Sequence, residues 1–238
     1  MKFDRILILG ASSDIGLALM RELDGKVGSI LAHANQNLAR LQDHARSARS
    51  EIVPLQADLT DAAQVEGLVA KVSAAGSPQA ILQLAAPRLR MARFKDTSEA
   101  DFRHDFEVQV LGPRAVLAQL CPAMLKAGPG KLIFLLSSVT QDEMPAGMGA
   151  YTTAKFALLG LMRSLAAEYG PRGLSACALS PGMVDTAFLQ HLHPSVVEAA
   201  AEASAKGRHA TAEEVATRLA KMLLEEEDLN GKNLSLEN

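Results

Sequence analysis

Along the 238-residue chain, short apolar runs alternate with longer stretches whose apolar positions follow a helical period. The runs RILIL (5–9), VGSILA (27–32), EIVPLQA (51–57), QAILQLA (79–85), KLIFLLS (131–137), LSACALS (174–180) and the shorter KNLSL (232–236) have the length of strands. Helical patterns fill 14–24, 37–47, 61–75, 99–127, 149–169 and 211–227. This alternation predicts an α/β fold of βαβ units, with right-handed crossovers laying helices on both faces of a parallel sheet. With no internal repeat, low-complexity tract or linker, residues 1–238 are expected to form one domain. The rhythm breaks at 182–210, a helical excursion that delays the next helix. An insertion past a strand's C-terminal end is where a substrate lid belongs, and 187–209 is the predicted lid.

Composition narrows the function classes. The chain is 48% hydrophobic, enough for a sizeable core, and rich in Ala, Leu and Val, as suits helices on a buried parallel sheet. A net charge of −3 gives no reason to expect a nucleic-acid partner or an anionic membrane surface. Cys121 and Cys177 are too few and too far apart for a disulfide framework or a zinc site, so buried inert thiols and no metal are expected. The opening MKFDRILILG sets an acid beside its basic residues and has too short an apolar run for a signal peptide. The apolar stretches fall short of a membrane span, and a cytoplasmic location is the expectation.

Four stretches could carry chemistry. In LGASSDIGLAL (9–19), Gly10 can take a positive φ, Ser12 and Ser13 can bond phosphate oxygens, and Gly16 allows close packing at a helix start. The free N–H groups and dipole of that helix favour an anion. The spacing is not G-x-G-x-x-G, and Asp14 places a carboxylate in the loop; an ordinary strand-to-helix turn explains it as well, with Asp14 as a helix-start residue. In YTTAK, Tyr151 and Lys155 share a helix face, where an ammonium stabilises a phenolate and makes the Tyr a proton donor or acceptor. Two residues that merely share a surface helix are the plainer alternative. LLSSV puts Ser137 and Ser138 at a strand's C-terminal end, facing the crevice where α/β proteins bind ligands, or simply capping the strand. LSPGMVDTAF (179–188) turns at Pro181 and Gly182 and offers the Thr186 hydroxyl beside the same crevice.

Taken in order, GASSDIG (10–16), ADLTD (57–61), SSV followed by YTTAK, and SPGMVDT resemble the short-chain dehydrogenase/reductase family in its small single-domain form, over essentially the whole chain. The resemblance implies a Rossmann-like doubly wound sheet of about seven strands that binds NAD or NADP. It also implies hydride transfer between the nicotinamide and the carbonyl or alcohol carbon of a small molecule, a 3-oxoacyl compound being one candidate. On that reading Tyr151 is the general acid, or base in reverse. Lys155 lowers its pKa and binds the nicotinamide ribose, and Ser138 orients the substrate oxygen. The cofactor would lie on Gly10, Ser12, Ser13, Ile15 and Gly16. Asp58 and Leu59 would hold the adenine, and Asn35 and Ala85 would be further cofactor-binding positions. Pro181, Gly182, Val184 and Thr186 would hold the nicotinamide end. The protein's share of the work would be alignment and a proton.

The sequence departs from the family pattern at several places. Leu9 and Asp14 replace the usual Thr and Gly, and LAAP (84–87) stands where the family has NNAG. Gln109 occupies the place of the Asn that completes a proton relay with the Lys; it can make the same bonds one methylene further out. These losses motivate an alternative, a non-catalytic nucleotide-binding relative acting as sensor or scaffold; epimerisation or dehydration with retained cofactor is a third reading. AHANQN (32–37) holds no acid to accept a ribose 2′-OH, which favours NADP over NAD, although no Arg lies there either. His33 is a ribose-side residue or a packed strand-end histidine. His191, His193 and the basic run RLRMARF (88–94) read most simply as surface. By resemblance, helices 99–127 and 149–169 would pair copies into a homodimer or homotetramer.

Overall fold

The computed structural model describes residues 3–141, 144–189, 192–204 and 206–236. In chain order its elements are β1 (Arg5–Leu9), α1 (Asp14–Leu23), β2 (Ser29–Ala34), α2 (Leu38–Ala45), β3 (Glu51–Gln56), α3 (Ala62–Ala75) and β4 (Ala80–Gln83). Then follow α4 (Glu99–Phe106), α5 (Gly112–Ala127), β5 (Gly130–Leu135), α6 (Gly149–Tyr169), β6 (Leu174–Ser180) and β7 (Val184–Asp185). The chain ends with α7 (Pro194–Ala203), β8 (Ala210–Thr211), α8 (Ala212–Leu224) and β9 (Asn233–Ser235).

Seven strands form one parallel sheet in the order β3-β2-β1-β4-β5-β6-β9, as the alternating pattern predicts. Successive side chains point to opposite faces, so the apolar run Ile6–Leu9 of β1 feeds two cores. Ile6 and Ile8 pack with Leu19 of α1 and Leu219 of α8, while Leu7 and Leu9 pack with Leu68 of α3, Leu120 of α5 and Leu158 of α6. The strand order reverses between β1 and β4, which opens a crevice beyond their C-terminal ends. Every candidate motif lies along that edge.

Three local departures have physical causes. The second strand starts two residues later than predicted and runs to Ala34, because His33 belongs inside it. The ring is buried and bonded at both nitrogens: Gly10 N–H donates to Nδ1 at 3.2 Å, and Nε2 donates to Ala57 O at 3.0 Å. His33 is therefore the packed strand histidine of the two readings, bracing β1 to β3. Burial holds its pKa below the ordinary 6.5.

The predicted helix 99–127 is interrupted by a π-helical turn at Glu107–Leu111. Pro113 has no N–H to give the carbonyl four residues back, which belongs to Gln109. That carbonyl instead accepts from Gln83 Nε2 at 3.4 Å. By length and composition Glu99–Ala127 could cross a membrane, but half of its apolar window is buried inside the protein.

The excursion is partly ordered by pairing: β7 and β8 form a two-stranded parallel ribbon, and α7 lies between them. His193 caps α7 through Nδ1 and Ser195. Of the predicted lid, residues 190, 191 and 205 lie outside the described residues, and with them the expectation for His191. At its C-terminal foot Glu214 accepts from Arg208, Lys206 and the Thr211 N–H, which together hold its carboxyl far below the usual range.

Candidate active site

The loop after β1 closes tightly against the sheet. Gly10 has φ +81°, and a Cβ there would lie 2.7 Å from Ala85 N, so this position needs glycine on both counts. A Cβ on Gly16 would sit 2.4 Å from Ala11 O. The Ser13 hydroxyl serves the loop itself: it donates to Gly10 O at 2.9 Å and caps α1 by accepting from Gly16 N at 3.1 Å. Ile15 packs against the core. Ser12 is half-buried, and its carbonyl accepts from Arg40 Nη1 at 2.8 Å.

Asp14 does not face an empty loop. Its Oδ1 accepts from Arg40 Nη2 at 2.8 Å and its Oδ2 from the Ala187 N–H at 2.8 Å. A backbone N–H from just after β7 thus takes one oxygen, and a guanidinium takes the other. Burial alone would raise the carboxyl; Arg40 and Ala187 together hold it below its ordinary value.

At the end of β3, Asp58 Oδ1 accepts from the Thr60 N–H and hydroxyl at 2.9 and 2.8 Å. The Thr60 N–H is the strongest influence lowering its pKa, and the Asn35 side chain adds to it. Leu59 is buried under Gly112, whose absent Cβ would fall 2.3 Å from Leu59 O. Gln56 Nε2 donates to the Asn35 carbonyl at 2.9 Å.

Across the crevice, α6 carries Tyr151 and Lys155, both buried. Lys155 Nζ donates to Leu135 O at 2.9 Å and lies 5.5 Å from the centre of the Tyr151 ring. Burial pushes the phenol up to about 12 and the ammonium down to about 8. The direction is thus opposite to the depression expected from Lys155, and desolvation sets it. What opposes the rise is a hydrogen bond from Ser137, not Ser138. Ser138 opens a short 3₁₀ turn and donates its N–H to Pro181 O at 2.8 Å. Leu89, Val139 and Met148 pack around Tyr151, with Met91, Phe188 and Leu192 against them. The Phe188 ring lies 6.2 Å from that of Tyr151. Gly182 has open space around it, Val184 is buried in β7, and the Thr186 hydroxyl donates to Val184 O at 3.2 Å.

Gln109, from the π-helical turn, is fully buried and its Nε2 donates to Asp105 Oδ1 at 2.7 Å. Its Oε1 has no partner. Sequence reasoning missed Arg40, Gln83 and Asp105, and it gave to Ser138 the place beside Tyr151 that Ser137 takes. Arg40 and Asp105 sit on helices, where the crevice they reach is set by tertiary packing and leaves no mark on the periodicity. Both thiols are buried, and burial pushes each up to about 12.

This constellation fits a dinucleotide by its shape: the glycine loop leaves no room for a Cβ at two points and presents the start of α1 at the sheet's switch point. Fold and site together define a doubly wound α/β protein of the nucleotide-binding kind. Residues 4–196 match the short chain dehydrogenase family model, and the chain belongs to that family. It is 30% identical over 188 residues to oxidoreductase UcpA of Salmonella typhimurium, covering 78% of this chain and 71% of that protein. It is also 30% identical over 227 residues to the chloroplastic NADPH-dependent aldehyde reductase-like protein of Arabidopsis thaliana, covering 88% and 83%. The fold matches a 3-oxoacyl-[acyl-carrier protein] reductase of Brucella melitensis with a TM-score of 0.86 at 22% identity, covering 97% of this chain and 88% of that one.

Proposed function

We propose that the protein is an NADP(H)-dependent reductase of small ketones whose carbonyl is flanked by apolar groups. The observation that carries this reading is the Tyr151–Lys155 pair, buried at the crevice beside the Ser137 hydroxyl and walled by Leu89, Val139, Met148 and Phe188. A buried phenol with a hydroxyl on one side and an ammonium on the other is built to give up a proton and tolerate the resulting charge. NADP, when bound, supplies the hydride.

The remaining chemistry belongs to the chain. Tyr151 protonates the carbonyl oxygen as negative charge develops there. Lys155 stabilises the phenolate left behind and is the residue to hold the nicotinamide ribose. Ser138, or Ser137 one position earlier, holds the substrate oxygen in line. Gly10, Ser12 and Gly16 take the pyrophosphate, Asp58 and Leu59 the adenine, and Val184 and Thr186 the nicotinamide amide.

Arg40 supports the choice of NADP. Its guanidinium lies between Ser12 and Asp14, next to the acid-free end of β2, where a 2′-phosphate would compete with the Asp14 carboxylate for it. The Arabidopsis relative is named for NADPH dependence. The enzyme works in the cytoplasm as a homodimer or homotetramer, built on the exposed Leu111 and Phe156 along the helices that relatives of this kind pair. The test is a panel of ketones with NADPH: hydrophobic ketones should oxidise the cofactor faster than polyhydroxylated ones of equal size. Binding of NADPH with no turnover of any ketone would favour the scaffold reading, and conversion without net cofactor oxidation would favour epimerisation.

A further inference from the structure

Three buried polar atoms lie without partners on elements that surround the catalytic pair: Gln83 Oε1, Gln109 Oε1 and Thr152 Oγ1. Leaving a buried carbonyl-type oxygen unpaired costs about 1–3 kcal/mol, so an orphaned amide oxygen calls for an explanation. For Gln109 the explanation starts at its other end. Nε2 donates to Asp105 Oδ1 at 2.7 Å, one helical turn earlier. An ionised carboxylate only accepts hydrogen bonds. The Gln109 amide must therefore turn its nitrogen to Asp105 and its oxygen away, into the buried space on the other side.

Asp105 is itself poised between two environments. On one side stand Tyr151 and Lys155 of α6; both feel its charge. On the other is a cavity of about 110 Å³ whose lining includes Arg88, Arg90, Asp101, His104 and Asp105. Arg90 is paired with Asp101. The charged and titratable groups facing Asp105 are thus Asp101 and His104 on its own helix, Lys155 and Tyr151 from α6, and the two arginines across the cavity.

We propose that Asp105 is a positioning residue that acts through Gln109: by accepting the Nε2 hydrogen it fixes the amide so that Oε1 points inward as the acceptor for a water serving Lys155. The proposal rests on the oxidoreductase reading above and adds a residue to it. It also explains how Gln works where one methylene of extra reach would otherwise leave the amide free to turn. Proton uptake by Asp105 reverses the logic, since a carboxylic acid can donate to Oε1 and lets the amide flip. Burial, the largest influence on this group, raises its pKa above the ordinary 3.8, while Gln109, His104 and Lys155 oppose the rise. Proton release from the inward water to Lys155, and from Lys155 to Tyr151, should then fail on the acid side.

Two measurements on the full chain test this. The first is the ¹⁵N side-chain amide resonance of Gln109, identified by its loss in Gln109→Leu. It should titrate with a midpoint above the ordinary carboxylate range, and that titration should vanish in Asp105→Asn, which keeps the size of the side chain. The second is the pH dependence of ketone reduction by the holoenzyme. Asp105→Asn should lower kcat by about 10- to 100-fold, the scale of a misplaced relay group, with KM changed by less than about 3-fold, and should remove the acid limb. In a Gln109→Leu background the same change should move kcat by less than about 2-fold, because coupled residues are non-additive. A Gln109 amide that does not respond to pH, or an Asp105→Asn effect equally large without Gln109, overturns the proposal. If no ketone turns over in the wild-type protein, it is the functional reading that fails, and the amide titration still decides the role of Asp105.

Discussion

The ammonium of Lys155 is out of place energetically. Burial holds its pKa at about 8, against an ordinary 10.5. Keeping it charged at pH 7 therefore costs about 3 kcal/mol, at 1.36 kcal/mol per pKa unit. The hydrogen bond to Leu135 O returns about 1 kcal/mol of that. Lys155→Met should abolish reduction yet raise the unfolding temperature at pH 7 by several degrees. The sign follows from linkage: the folded pKa lies below the unfolded one, so wild-type stability rises with pH between about 8 and 10.5. Thermal unfolding scans across that window should show the gap between the two proteins closing. Arg40 gives a second prediction at this scale. Arg40→Ala should raise KM for NADPH by about 10-fold or more, as expected for loss of a charged bidentate contact, and leave KM for NADH within about 3-fold. Equal effects on both cofactors in steady-state kinetics would remove the NADP assignment. Tyr151, Lys155 and the glycines were legible in the sequence because their chemistry is rare and their spacing regular. Arg40 and Asp105 were not: a charged residue on a helix reads as solvated until a neighbouring element brings it a partner.

At the scale of elements, the approach of α1 to its own loop is a tight constraint. A methyl group on Gly16 would meet the Ala11 carbonyl at 2.4 Å, and backbone cannot yield as a side chain can. Gly16→Ala should therefore destabilise the protein by about 1–3 kcal/mol through overpacking, and weaken cofactor binding further by displacing the start of α1. Denaturant melts and cofactor titrations read the two effects separately. The strand and helix order was legible because burial on both faces makes parallel strands continuous apolar runs. Two errors have separate causes. The second strand was misplaced by two residues because His33 looked like an end, while its buried partners Gly10 and Ala57 are invisible in sequence. The π-helical turn was missed although Gly112-Pro113 marks it, because a proline inside a helical pattern signals a kink or a break without saying which. The excursion past β6 was legible as a break in the helical rhythm, but its anchoring from Asp14 to Ala187 joins residues 173 apart in the chain, while Glu214 and Arg208 tie its foot locally.

For the whole molecule, the sheet order and its reversal between β1 and β4 gather four motifs scattered from Gly10 to Thr186 along one edge. Leu111 and Phe156, both exposed apolar residues on helices outside that edge, are where copies should meet. Leu111→Glu with Phe156→Glu should shift the protein to monomer in sedimentation, since charge is depleted at interface cores; an unchanged oligomer would place the interface elsewhere. Fold and family follow from the ordered set of motifs, none of which suffices alone, whereas the proposed preference for apolar ketones rests on the wall around Tyr151, which forms only when the loop after β4, α6 and Phe188 meet. The central claim is that this buried phenol delivers the proton in NADPH-dependent carbonyl reduction. Single-turnover oxidation of bound NADPH by a hydrophobic ketone, followed by absorbance in wild type and Tyr151→Phe, tests it most directly. Tyr151→Phe should bind NADPH as tightly as wild type and lose the rate by at least about 100-fold, the low end for general acid catalysis; an undiminished rate in the variant would mean that another group delivers the proton.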